Sequence, residues 1–109
     1  MAKKLICKKE DLREGTIRKF VIDDKEILVA RLRGNFFALE NKCSHKGGDL
    51  SKGELDGFWI KCPVHGATYD LRTGMLVKNI NPVLRMFSKA SDQKKISLAT
   101  EGDSVYADL

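Results

Sequence analysis

Residues 26–33, Glu-Ile-Leu-Val-Ala-Arg-Leu-Arg, contain the longest aliphatic run of the chain and read as a β-strand. Residues 16–22, Thr-Ile-Arg-Lys-Phe-Val-Ile, are again rich in β-branched and aromatic side chains. Asp23-Asp24-Lys25 between the two is a hairpin signal. Gly34-Asn35 predicts a tight turn into a third strand, Phe36-Phe37-Ala38-Leu39-Glu40. Ahead of these, residues 4–8 alternate well enough for a first strand, and residues 9–15 read as a turn or single helical turn stopped by Gly15.

Further along, Asp56-Gly57 introduces a short strand at 58–61, and residues 69–71 form another that turns at Arg72-Thr73-Gly74. Residues 83–90, 95–99 and 104–107 are the remaining candidates, divided by Asp92-Gln93 and Glu101-Gly102-Asp103. No segment sustains a 3.6-residue apolar period. Short strands with turn signals roughly every eight to twelve residues indicate an all-β, antiparallel sandwich or barrel.

Composition narrows this picture without redrawing it. The chain has 109 residues, 42% apolar and 32% charged, as expected of one soluble globular domain. Its longest aliphatic run is far short of the roughly 20 residues that span a bilayer. The basic start, Met1-Ala2-Lys3-Lys4-Leu5-Ile6, leads into no apolar signal-peptide core. The expectation is a cytoplasmic protein without membrane attachment. The net charge of +5 comes from scattered pairs such as Lys3-Lys4, Lys8-Lys9 and Lys94-Lys95, interleaved with acids. That distribution argues for a solvated basic surface and against nucleic-acid binding; any steering by it would favour an acidic protein partner.

The chemistry is concentrated between Cys43 and His65. Two of the three cysteines and both histidines fall there, as C-x-H, sixteen residues, then C-x-x-H. Each half offers one thiolate and one imidazole, and together they make a four-ligand metal site. Thiolate and imidazole suit both zinc and iron, so the ligand types leave the metal open. One reading is a structural zinc site with two cysteines and two histidines. However, finger-type sites draw both cysteines from one loop and both histidines from the other. One of each per loop suits a binuclear centre whose two irons take different ligand pairs.

The same stretch resembles the two cluster-binding boxes of Rieske-type iron–sulfur proteins. C-x-H-x-G-x-x-L is matched by Cys43, His45, Gly47 and Leu50. C-P-x-H-G is matched by Cys62, Pro63, His65 and Gly66, and runs on into Tyr69-Asp70-Leu71-Arg72-Thr73-Gly74. The resemblance implies a single Rieske domain over residues 1–109. It would be an antiparallel β-sandwich with a small cluster-binding subdomain formed by two loops, at about 41–74. It further implies one [2Fe–2S] cluster, with Cys43 and Cys62 on the inner iron and His45 and His65 on the outer, exposed iron. Gly47, Gly48 and Gly66 would let the backbone approach and aim N–H groups at the sulfurs. Leu50 and Pro63 would shield the cluster, the Tyr69 hydroxyl would reach a cysteine sulfur, and Pro82 would sit in a third covering loop.

Departures from the family pattern indicate which kind of member this is. Gly48 and Val64 stand where high-potential members carry a pair of disulfide-forming cysteines, and Ala67 stands where they carry a serine hydrogen-bonded to a sulfide. Fewer hydrogen bonds to the sulfurs raise the energy of the reduced, more negative cluster, which places the potential toward the lower end of the roughly −150 to +300 mV Rieske range. Lys46, where quinol-docking members have an apolar residue, suits a wet protein–protein contact.

The resemblance therefore implies a soluble, low-potential Rieske ferredoxin. It would be a monomeric one-electron carrier between a flavin-dependent reductase and an oxygenase or other redox acceptor, and not itself an enzyme. A non-catalytic Rieske-like small subunit of a larger reductase, such as nitrite reductase, and a structural zinc module are the alternatives. Cys7, with no cysteine or histidine near it in sequence, reads as a structural thiol.

Overall fold

The computed structural model describes residues 3–42, 48–63, 66–78 and 91–109. Strand β1 (Lys3–Lys8) runs into a 3-10 turn at Lys9–Asp11 and is followed by β2 (Thr16–Ile22), β3 (Lys25–Leu32) and β4 (Asn35–Glu40). A second 3-10 turn, Leu50–Lys52, precedes β5 (Glu54–Asp56), β6 (Trp59–Lys61), β7 (Thr68–Asp70) and β8 (Leu76–Lys78). Three strands close the chain: β9 (Lys95–Ile96), β10 (Leu98–Glu101) and β11 (Ser104–Asp108). They form three antiparallel sheets, ordered β1-β11-β10, β2-β3-β4-β9 and β5-β6-β7-β8. Among the described residues no helix is long and apolar enough to cross a membrane.

The central sheet begins with two tight hairpins. Ile22 faces Lys25 across Asp23-Asp24, whose φ angles are 50° and 67°. Aspartate tolerates this left-handed backbone, and two such residues in succession match the twist of the flanking strands. Leu32 faces Asn35 across Arg33-Gly34 in the same manner. The second turn therefore falls one residue earlier than Gly34-Asn35. It is held by Glu14, whose carboxylate accepts the Arg33 and Gly34 N–H groups at 2.6 and 2.7 Å.

The aliphatic run Ile27–Ala30 is buried on both faces of this sheet. Leu28 and Ala30, with Leu39 opposite Leu28, pack into one cluster with Leu50, Ile60, Cys62, Ala67, Tyr69 and Leu71. Ile27, Val29 and Ala38 point the other way, into a cluster with Leu12, Ile96 and Ala107. The central sheet thus lies between the small β5–β8 sheet and the β1-β11-β10 sheet. Each fully buried aliphatic side chain contributes about 1.5–3 kcal/mol.

Other expectations need correction. Residues 95–99 are two strands, because the chain changes sheet at Ser97: β9 pairs with β4, whereas β10 pairs with β11. The Ser97 carbonyl accepts from the Asp108 N–H at 3.0 Å at this crossing. The strand expected at 69–71 is Thr68–Asp70, with Leu71 in the turn, and the strand expected at 58–61 begins at Trp59. Strands β5 and β8, three residues each, were too short to show a period. The strand expected at 83–90 lies outside the described residues.

Candidate metal centre

The described residues that flank each box form a stem that the fold closes. At the first, β4 leads into Asn41 and Lys42. Lys42 forms an antiparallel bridge with Asp49, and the Leu50 N–H donates to the Asn41 carbonyl at 3.0 Å. Lys42 and Asp49 are thus the two sides of one closed stem. At the second, Lys61 of β6 faces Thr68 of β7. Inside that pair the Cys62 N–H donates to the Ala67 carbonyl at 2.7 Å, and the Gly66 N–H donates to the Cys62 carbonyl at 3.1 Å. Gly66 takes φ +82°, the left-handed backbone that glycine adopts without strain.

The two stems share one apolar floor. Leu50, Cys62, Ala67 and Tyr69 belong to the same buried cluster, and Cys62 is 2% exposed. Gly48 is also buried, whereas Pro63 is exposed. Cys43, His45, Gly47 and His65 lie outside the described residues, as do Lys46, Val64 and Pro82. Cys7 is on a different sheet, opposite Val105, and burial followed by the nearby Asp11 charge pushes its thiol pKa up.

Polar residues that box-reading overlooks hold the first stem. Asn41 is fully buried; its amide donates to Asp49 Oδ1 at 2.7 Å and its own oxygen accepts the Ser51 N–H at 3.0 Å. Asp49 Oδ1 also accepts from the Ser51 hydroxyl at 2.6 Å, and Lys19 Nζ lies 3.4 Å from Oδ2. Burial alone would raise the Asp49 pKa. The bonds from Ser51 and Asn41 and the Lys19 charge outweigh it and bring the carboxyl down to about 2.

A carboxyl with a lowered folded pKa stabilises the fold above its unfolded pKa, and the contribution is lost as pH falls through about 2. Asp49→Asn should therefore lower stability at pH 7 by on the order of 2 kcal/mol, with the deficit narrowing below about pH 4. Urea unfolding across that range checks this; a deficit independent of pH would remove the charge from the account.

Residues 2–88 match the Rieske [2Fe-2S] domain family. The chain is 31% identical over 109 residues to the ferredoxin component of biphenyl 2,3-dioxygenase from Rhodococcus jostii (strain RHA1), covering 100% of this chain and 94% of that one. It is 38% identical over 71 residues to ferredoxin CarAc of Metapseudomonas resinovorans, covering 64% and 66%. It spans as little as 12% of a longer relative, apoptosis-inducing factor 3 of Homo sapiens. Among solved structures, one described as a complex of reduced oxygenase and oxidized ferredoxin in carbazole 1,9a-dioxygenase contains a similar chain. The TM-score is 0.80 at 28% identity, over 96% of this chain and 91% of that one. The two closed loop stems, the antiparallel sandwich beneath them and these matches agree: the chain belongs to the Rieske [2Fe-2S] domain family.

Proposed function

We propose that this chain is a one-electron carrier of an oxygenase system, a Rieske ferredoxin of the low-potential class. The observation that carries the reading is the end-to-end similarity to a dioxygenase ferredoxin component, together with two ligand-box stems closed over one apolar floor. The likeness to a ferredoxin from a complex with its oxygenase supports an oxygenase as acceptor. The donor would be a flavin-dependent reductase. The protein would work as a cytoplasmic monomer, carrying electrons without transforming a substrate, with residues 1–109 as one domain and the cluster loops at about 41–74.

The residues fit a sulfur-ligated cluster. Cys62 places a thiol at the buried base of a closed loop, in an apolar cluster that keeps water from it. Cys43 and Cys62 would hold one iron, and His45 and His65 the other. When bound, the cluster takes up and releases one electron. Leu50, Ala67 and Tyr69 exclude water from the base of the site, and Gly66 allows the tight return of the second loop. The buried Ala67 side chain carries no hydroxyl to donate to a sulfur, which supports a potential in the lower part of the Rieske range.

Analysis of the purified protein tests this. Iron and acid-labile sulfide in equal amounts are expected, with reduction by a flavin reductase and reoxidation by a Rieske oxygenase. One zinc without sulfide would replace this reading with the structural zinc module.

A further inference from the structure

Residues 92–94 form a strap between the frames of the two ligand loops. An Asp92 carboxylate oxygen accepts the Leu76 N–H at 2.7 Å, at the start of β8. The Gln93 N–H donates to the Gly74 carbonyl at 2.7 Å, and the Lys94 carbonyl accepts the Glu40 N–H at 2.9 Å. The Gln93 side chain, 5% exposed with its residue, donates from Nε2 to the Glu40 carbonyl at 2.7 Å and to the Lys42 carbonyl. Lys42 is the residue before Cys43. Gly74 closes the turn after β7, whose partner β6 leads into Cys62.

The fit around Gln93 is close. A Cβ on Gly74 would come within 3.0 Å of the Gln93 carbonyl oxygen, and Gly74 already takes φ +83°. A primary amide has two N–H donors on one nitrogen, which matches two carbonyls at the end of a strand. Removing those donors breaks both of these hydrogen bonds at once.

We propose that Gln93 is a positioning residue for the cluster. Through the Lys42 carbonyl and the Gly74 turn, the strap sets the separation of the two ligand loops. This rests on the assignment of Cys43 and Cys62 as ligands. Outer partners that orient ligands typically change metal affinity by about 10–100-fold when removed.

Gln93→Met keeps the length of the side chain and loses both donors, and Gln93→Glu replaces the amide nitrogen with an acceptor. Both variants should release iron to a chelator about tenfold faster than the wild type and shift the electron paramagnetic resonance spectrum of the reduced protein. Val105→Ala, a fully buried position in the β1-β11-β10 sheet, should lower stability and leave that spectrum unchanged. Wild-type release and spectrum in both Gln93 variants would overturn the proposal, as would the same spectral shift in Val105→Ala. Should the Gln93 variants fail to fold, Asp92→Ala must accelerate release in the same direction, and wild-type retention there overturns the strap. A wild-type protein without iron and sulfide would instead overturn the ligand assignment itself.

Discussion

Cys62→Ser is expected to abolish the iron and acid-labile sulfide of the purified protein, whereas Cys7→Ser keeps both. Soft thiolates hold iron–sulfur centres, and a serine hydroxyl at the same place is a harder, far less acidic donor. Cys62 is 2% exposed at the base of the second loop, so no neighbouring water-accessible group can substitute for it without opening the core. Cys7 differs in every relevant respect. It sits on β1 against Val105 of β11, on a sheet that contributes neither stem, and burial pushes its thiol pKa up. Cys7→Ser should therefore cost only about 1 kcal/mol, from placing a hydroxyl in a half-apolar site. Cys43→Ser and His65→Ala should behave as Cys62→Ser does. Iron and sulfide assays with the visible spectrum check all four; loss of colour in the Cys7 variant would overturn the ligand set.

Much of the frame was legible because its signals are local. Thr16–Ile22 and Lys25–Leu32 are β-branched runs on either side of two aspartates, and that first turn needs only what is within a few residues, whereas the second is held by Glu14 from outside its hairpin and falls one residue earlier than its sequence suggests. What Ile27–Ala30 packs against was not legible. A strand covered on both faces loses its alternation, and its two covers come from residues 50–71 and 96–107, far away in sequence. Ser97 hides a change of sheet for a related reason: both halves of 95–101 are good strand sequence, and only their partners differ.

The site divides in the same way. The box cysteines and histidines announce themselves by spacing. Asn41, Asp49 and Gln93 do not, since a buried polar side chain is written no differently from an exposed one. Asn41 and Gln93 acquire their meaning from backbone carbonyls and a carboxylate that the fold brings to them. The box spacing points to candidate ligands, whereas Asn41 and Asp49, which hold the first stem, carry no such signal.

Gly53→Ala should lower stability by about 3 kcal/mol and weaken cluster retention with it. The cause is space, not backbone conformation. Gly53 ends the Leu50–Lys52 turn with φ −80° and ψ −179°, values open to any residue, and its N–H donates to the Leu50 carbonyl at 3.0 Å. A Cβ there would come within 3.0 Å of the Lys61 carbonyl oxygen. That atom belongs to the β6 backbone and cannot rotate away as a side-chain end could. Lys61 pairs with Glu54 of β5 and immediately precedes Cys62, so alanine must push β5 from β6 where the first box returns and the second begins. Gly102→Ala supplies the contrast. Its φ is +56° and nothing lies within 4 Å of the added carbon, so only the left-handed backbone opposes it, at about 1 kcal/mol. Urea midpoints and chelator-driven iron release of the two variants separate the effects. A Gly53→Ala protein as stable and as slow to lose iron as Gly102→Ala would mean that β5 and β6 can part without moving Cys62.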